Sequence, residues 1–91
     1  MNDQELLELA AKAAGYKHSH FFKHSNAHWG MATPEGIWNP LYDDGDALRL
    51  AVNLKIELKF PVFYNDPDCD RYAVTRQEIV KAAAEIGRRM G

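Results

Sequence analysis

The sequence contains a single cysteine, Cys69, and this scarcity excludes several kinds of site. One thiol cannot form an internal disulfide bond, and a CxxC zinc or redox motif needs a second cysteine. Catalysis by Cys69 with a histidine is also disfavoured, because no flanking glycine turn or activating environment is evident. Such cysteine use fits a reducing compartment, so we expect a cytoplasmic protein.

Long apolar runs and an excess of basic residues are also missing. No stretch approaches the ~18 consecutive apolar residues of a membrane-spanning helix, and the start of the chain lacks the pattern of a secretion signal. The net charge is -2. A nucleic-acid partner is disfavoured, because proteins that bind phosphate backbones make many Lys and Arg contacts. The lack of a long apolar run disfavours a membrane location.

The common catalytic and nucleotide-binding motifs are absent as well. The chain has no GxGxxG, no GxxxxGK and no GxSxG sequence. We therefore expect no cofactor and favour a role other than catalysis.

Three helices are predicted from apolar periodicity and capping residues. The first runs from Asp3 to Ala14, with Asn2 or Asp3 as its N-cap and Gly15 as a left-handed residue after its end. The last begins at Thr75, because Thr75 and Glu78 have the T-x-x-E spacing of a capping box.

The second helix follows an aromatic turn and an acidic cluster. Asn39-Pro40 predicts a turn, because proline fixes its own φ and keeps the preceding residue out of the helical region. We expect the helix over Asp46–Leu54, with Asp43 or Asp44 capping its first amides.

Strands are predicted between these helices. The alternation of Ile56, Leu58, Phe60 and Val62 with polar residues indicates a half-buried strand. The other expected strands are Tyr16–Lys23, Ala27–Met31, a short piece at Ile37-Trp38, and a return strand over Cys69–Val74. The sequence thus predicts a single α+β domain over residues 1–91, in which an antiparallel sheet of three to four strands packs with three helices in the order α-β-β-α-β-β-α.

Two stretches also carry a family resemblance. The run WNPLYDDGDALRLAVNL and the C-terminal TRQEIVKAAAEIGRRM resemble segments of a family of small phage and prophage proteins, described as the phage ABA-sandwich domain. The resemblance implies a phage or prophage setting in a bacterial host and a layered α/β fold. It transfers no catalytic residue, and it does not extend over residues 16–36, where all four histidines lie.

Two groups of residues suggest a metal or small-ligand site. His18, His20, His24 and His28 lie close together in the sequence, and imidazoles on one strand face can converge on a metal ion. Their spacing matches no standard zinc motif, so ordinary strand and loop histidines are the alternative. Asp43, Asp44 and Asp46 can hold magnesium or act as acid and base, but such carboxylates are common as helix caps.

The aromatic residues suggest a different function. Trp29, Trp38, Tyr42 and Tyr64 belong to a set too large for a small core to bury entirely, and exposed Trp and Tyr are favoured at protein interfaces. The leading hypothesis is a module that binds another protein or a second copy of itself. The alternative is that these rings complete the core, and for Trp38 we specifically expect packing over the first turn of the second helix.

Overall fold

The computed structural model describes residues 2–25, 28–57 and 70–90. They form an α+β fold of three helices and a three-stranded antiparallel sheet, which confirms the predicted fold class. In chain order the elements are α1 (Asp3–Ala14), β1 (His20–Ser25), β2 (His28–Thr33), β3 (Gly36–Trp38), α2 (Asp44–Leu54) and α3 (Arg71–Arg89).

Helix α1 has the predicted bounds because both of its ends are locally encoded. The Asn2 side chain accepts a hydrogen bond from the Glu5 N–H, and Gly15 adopts a left-handed conformation with φ of 90°. The Tyr16 N–H then donates to the Ala11 carbonyl, at 3.0 Å. Tyr16 is thereby held at the helix end, and the strand predicted from Tyr16 begins only at His20.

The sheet has the order β1-β2-β3, and its register separates two faces. Phe21, Met31 and Trp38 lie in one row across the three strands, and Met31 and Trp38 are buried on this inner face. The adjacent row of His20, Ala32 and Ile37 lies on the opposite, outer face, because successive side chains alternate across a sheet. Strands β2 and β3 are close to their predicted positions, although β2 begins and ends later in the sequence than expected.

One hydrophobic core joins the inner face of the sheet to all three helices. Residues of all three helices share that core with Met31 and Trp38 of the sheet. None of the described helices combines the length and the apolar character that crossing a bilayer requires. The buried apolar residues are Leu7, Ala10, Ala11, Met31, Trp38, Ala47, Leu50, Ala51, Ile79, Val80, Ala83 and Ala84.

Helix α3 begins four residues earlier than predicted. Asp70 is its N-cap, and the Asp70 carboxylate accepts a hydrogen bond from the Ala73 N–H at 3.0 Å. The capping box at Thr75 is therefore wrong, since the Thr75 hydroxyl donates to the Arg71 carbonyl inside the helix. The return strand predicted over residues 69–74 is likewise wrong for residues 71–74, which are helical because Asp70 supplies an equally good local start.

The strand predicted over residues 56–62 falls mostly outside the described part of the chain. Ile56 and Glu57 are described and are not in a strand. Ile56 instead donates its N–H to the Ala51 carbonyl at the end of α2, at 2.9 Å. This contact follows Lys55, whose left-handed conformation (φ of 56°) ends the helix.

The start of α3 can be tested by comparing two substitutions. Asp70→Ala should lower the free energy of unfolding by about 1 kcal/mol, because the Ala73 N–H loses its capping partner. Thr75→Ala should cost less, since the Arg71 carbonyl lies within the helix and keeps a backbone partner. Urea denaturation followed by circular dichroism measures both. A larger loss for Thr75→Ala would place the helix start at Thr75 after all.

Candidate functional site

An open pocket of about 180 Å³ lies where β2, the end of β3 and the start of α2 meet. We call it the aromatic-acidic pocket. It brings together residues from all three groups that the sequence singled out, namely a histidine, two aromatic residues and two of the acidic residues. Its lining residues are His28, Trp29, Ile37, Asn39, Tyr42, Asp43 and Asp46.

Asn39 holds this pocket together, and sequence reasoning assigned it only to a turn. Its side chain is 6% exposed; the amide donates to the Trp29 carbonyl at 2.9 Å, and the amide oxygen accepts from the Leu41 N–H at 3.1 Å. The side chain thus extends the pairing of β2 with β3 beyond Trp38 and shapes the turn that follows. The sequence predicts the turn at Asn39-Pro40, but the hydrogen bond to Trp29 depends on strand register, which the sequence does not reveal.

Two carboxylates of the pocket are fixed by backbone N–H groups. Asp43 caps α2 by accepting from the Asp46 N–H at 2.9 Å, which confirms the capping hypothesis for this residue. Asp46 accepts from the Asn39 N–H at 3.0 Å and also pairs with Arg49 at 2.7 Å. Because each Asp carboxylate has about four acceptor positions, both retain capacity for a further donor.

The third acidic residue has a different role. Asp44 pairs with Arg76 of α3, and Arg76 also donates from Nε to the Leu41 carbonyl at 2.9 Å. The Arg76 side chain is largely buried while that of Asp44 is largely exposed. This contact docks α3 onto the acidic turn, and Asp44 does not line the aromatic-acidic pocket.

The predicted interaction residues separate into exposed and buried positions. Tyr42 is 62% exposed, and Trp29 is half-buried with its ring 6.4 Å from that of Phe21. Trp38 is only 7% exposed and packs its ring 5.3 Å from that of Tyr16, so its assignment to an interaction surface is wrong. Trp38 alternates onto the inner face of the sheet, where the core covers it. Tyr64 lies outside the described residues.

The structure brings together two of the four histidines. His24 and His28 stack with ring centroids 5.5 Å apart, and the Phe22 ring lies 5.8 Å and 5.4 Å from them. His20 lies farther along the outer face, and His18 lines a separate pocket with Gly15, Tyr16, Lys17, Pro34 and Glu35. Within residues 2–25, 28–57 and 70–90, no three His, Cys, Asp or Glu residues are grouped to hold a metal ion. The four-histidine site is therefore not formed.

One ionisable group beside the sheet has a displaced pKa. Burial, and secondarily the negative charge of Glu35, raise the pKa of the Tyr16 hydroxyl above its usual range. The hydroxyl therefore stays protonated at neutral pH and can donate to Glu35, at 3.5 Å. This position suits a structural tie between the end of α1 and the β2-β3 turn.

The size of the aromatic-acidic pocket limits what it can bind. Cofactor and drug-sized ligands occupy pockets of roughly 300–1,000 Å³. A volume near 180 Å³ suits a single amino-acid side chain. Tyr42 supplies exposed aromatic surface, and Asp43 and Asp46 supply negative charge, which together favour a cationic group.

Comparisons with known proteins give no family for the chain. No family model, no curated protein and no solved structure matches it.

Proposed function

We propose that this domain is a non-catalytic protein-binding module, and that its partner inserts a lysine or arginine side chain into the aromatic-acidic pocket. The observation that carries the proposal is the meeting of exposed Tyr42 with Asp43 and Asp46 around a cavity of side-chain size. Exposed tyrosine is a favoured anchor at protein interfaces.

Charge complementarity supports a basic partner. Within the described residues, Asp43 makes no ion pair, and the partner of Asp46, Arg49, has a side chain that is 70% exposed. A cation entering the pocket therefore finds the negative charge of Asp43 without an ion-pair partner among the described residues, and that of Asp46 shared with Arg49. Ile37, 60% exposed beside the pocket, adds apolar area for the stem of such a side chain.

The setting in which the module works is a further part of the proposal. The resemblance of the Trp38–Leu54 run to phage ABA-sandwich proteins supports an accessory protein of a phage or prophage, acting in the cytoplasm of the bacterial host. In such a role a small domain needs a specific contact surface and no active site.

Selection from a random peptide display library tests the partner chemistry. We expect the selected peptides to be enriched in Lys and Arg, and their affinity for the Tyr42→Ala variant to fall by at least about tenfold, because a central aromatic contact is lost. Asp43→Asn, which keeps a capping oxygen, should also weaken binding and reduce its dependence on salt.

Tyr72 provides the matched control, because it is 71% exposed on α3 and does not line the pocket. Tyr72→Ala should leave peptide affinity unchanged. Selected peptides without basic residues, or equal losses for the two tyrosine variants, would contradict the proposal. A molar mass from light scattering that falls only in Tyr42→Ala would instead assign the pocket to a second copy of the chain.

A further inference from the structure

His24 and His28 form a side-chain pair on the outer face of the sheet that the protein-binding proposal does not use as a unit. Both residues are exposed, their ring centroids are 5.5 Å apart, and their planes differ by 19°. They belong to the adjacent strands β1 and β2. The Phe22 ring, on the same face, lies 5.8 Å from that of His24 and 5.4 Å from that of His28.

The pairing of β1 with β2 places these two residues next to each other. Phe22 pairs with Gly30 and Lys23 pairs with Trp29, and continuing this register by one residue sets His24 opposite His28. The register shifts only at the following pair, Ser25 with His28. The stacking of the two imidazoles therefore follows from the strand pairing itself.

The separation of the rings matches that of two ligands on one metal ion. A metal-nitrogen bond of about 2.1 Å, with the ring centre about 1.1 Å farther on, puts two ring centres about 5.2 Å apart at a tetrahedral angle. The observed 5.5 Å is close to this value, whereas two ligands on opposite sides of an ion would be about 6.4 Å apart. The two rings are near-parallel as they stand, so metal binding requires each exposed ring to rotate until one of its nitrogens faces the ion.

We propose that His24 and His28 bind a divalent transition-metal ion through two imidazole nitrogens, with water completing the coordination. Imidazole suits copper, nickel and zinc, and the general order of affinities places Cu²⁺ above the other two. This site needs only two of the four histidines. It shares His28 with the lining of the aromatic-acidic pocket, whereas His24 does not line that pocket.

Titration with Zn²⁺ and Cu²⁺ tests this site on the intact protein. We expect one ion per chain, with Zn²⁺ shifting the NMR signals of the His24 and His28 ring protons and leaving those of His18 and His20 in place. Bound Cu²⁺ should show hyperfine coupling to two nitrogens by electron paramagnetic resonance. His24→Gln and His28→Gln should each weaken Cu²⁺ binding by on the order of 100-fold, because a single imidazole loses the effective concentration supplied by the other.

His20→Gln is the control, because His20 is exposed on the same strand but belongs to no histidine pair in the described residues. Its Cu²⁺ affinity should equal that of the parent. Circular dichroism should show that all three variants keep the parent fold, as expected for exposed side chains. Equal weakening by His20→Gln, or binding that persists in His24→Gln and His28→Gln but is lost in Cys69→Ser, would overturn the assignment.

Discussion

Replacing Trp38 with alanine is expected to lower the free energy of unfolding by about 3–5 kcal/mol, the usual range for truncating a buried large aromatic side chain. Trp38 is 7% exposed, shares its row of the sheet with buried Met31, and packs against Tyr16. So large a loss is comparable with the total stability of many small domains, so part of the population should be unfolded at 25 °C. Urea denaturation followed by tryptophan fluorescence measures the effect, with Trp29 as the remaining reporter.

Ile37 is the control for this substitution. It precedes Trp38 in the same strand, but its side chain is on the outer face and largely exposed. Ile37→Ala should change the stability by less than about 1 kcal/mol. Similar losses at the two positions would mean that Trp38 acts through strand propensity rather than through burial.

Replacing Gly87 with alanine should also be strongly destabilising, although alanine is the better helix former. A Cβ atom at Gly87 would collide with the Leu9 carbonyl oxygen and lie 2.8 Å from its carbon, so α3 and α1 would have to separate. The helix propensity of alanine offsets at most about 1 kcal/mol of this strain. We expect a net loss of at least about 2 kcal/mol, measured as a lower midpoint of urea denaturation.

Gly45→Ala is the matched control, since Gly45 is also a helical glycine. Its Cβ would meet the Asp43 carboxylate oxygen at 3.1 Å and the Arg49 guanidinium at 3.5 Å, both of them side-chain atoms. These groups can adjust by a few tenths of an ångström, so the stability should stay within about 1 kcal/mol of the parent. A Gly87→Ala protein as stable as Gly45→Ala would contradict the close contact of α1 with α3.

The contrast between α1 and α3 shows which parts of the fold are predictable from sequence. Both ends of α1 depend on residues next to them, Asn2 and Gly15, and the predicted bounds are correct. At α3 two local starts compete, Asp70 and Thr75, and both satisfy the rules for a cap. Periodicity alone does not choose between them, because residues 71–74 are compatible with either a short strand or a helical turn.

The sequence singled out several residues of the aromatic-acidic pocket, but it did not predict that they meet in one pocket. Trp29, Tyr42 and Asp43 drew attention as chemical types, but their meeting depends on the pairing of β2 with β3 and on the Asn39-Trp29 hydrogen bond. The pair of His24 with His28 depends similarly on the register in which β1 pairs with β2. Such long-range geometry leaves no periodic signal in the sequence, whereas helix caps and amphipathic faces do.

The contact of α1 with α3 also affects the order in which the protein can fold during its synthesis. These two helices share the largest interface between elements in the described chain, yet most of the sequence lies between them. The chain must lose the conformational entropy of closing this long loop before the packing of Leu9 against Gly87 can stabilise it. Contacts between residues so far apart in the sequence slow folding. While α3 is still in the ribosomal exit tunnel, the part of α1 that α3 covers in the folded domain stays exposed and available to chaperones.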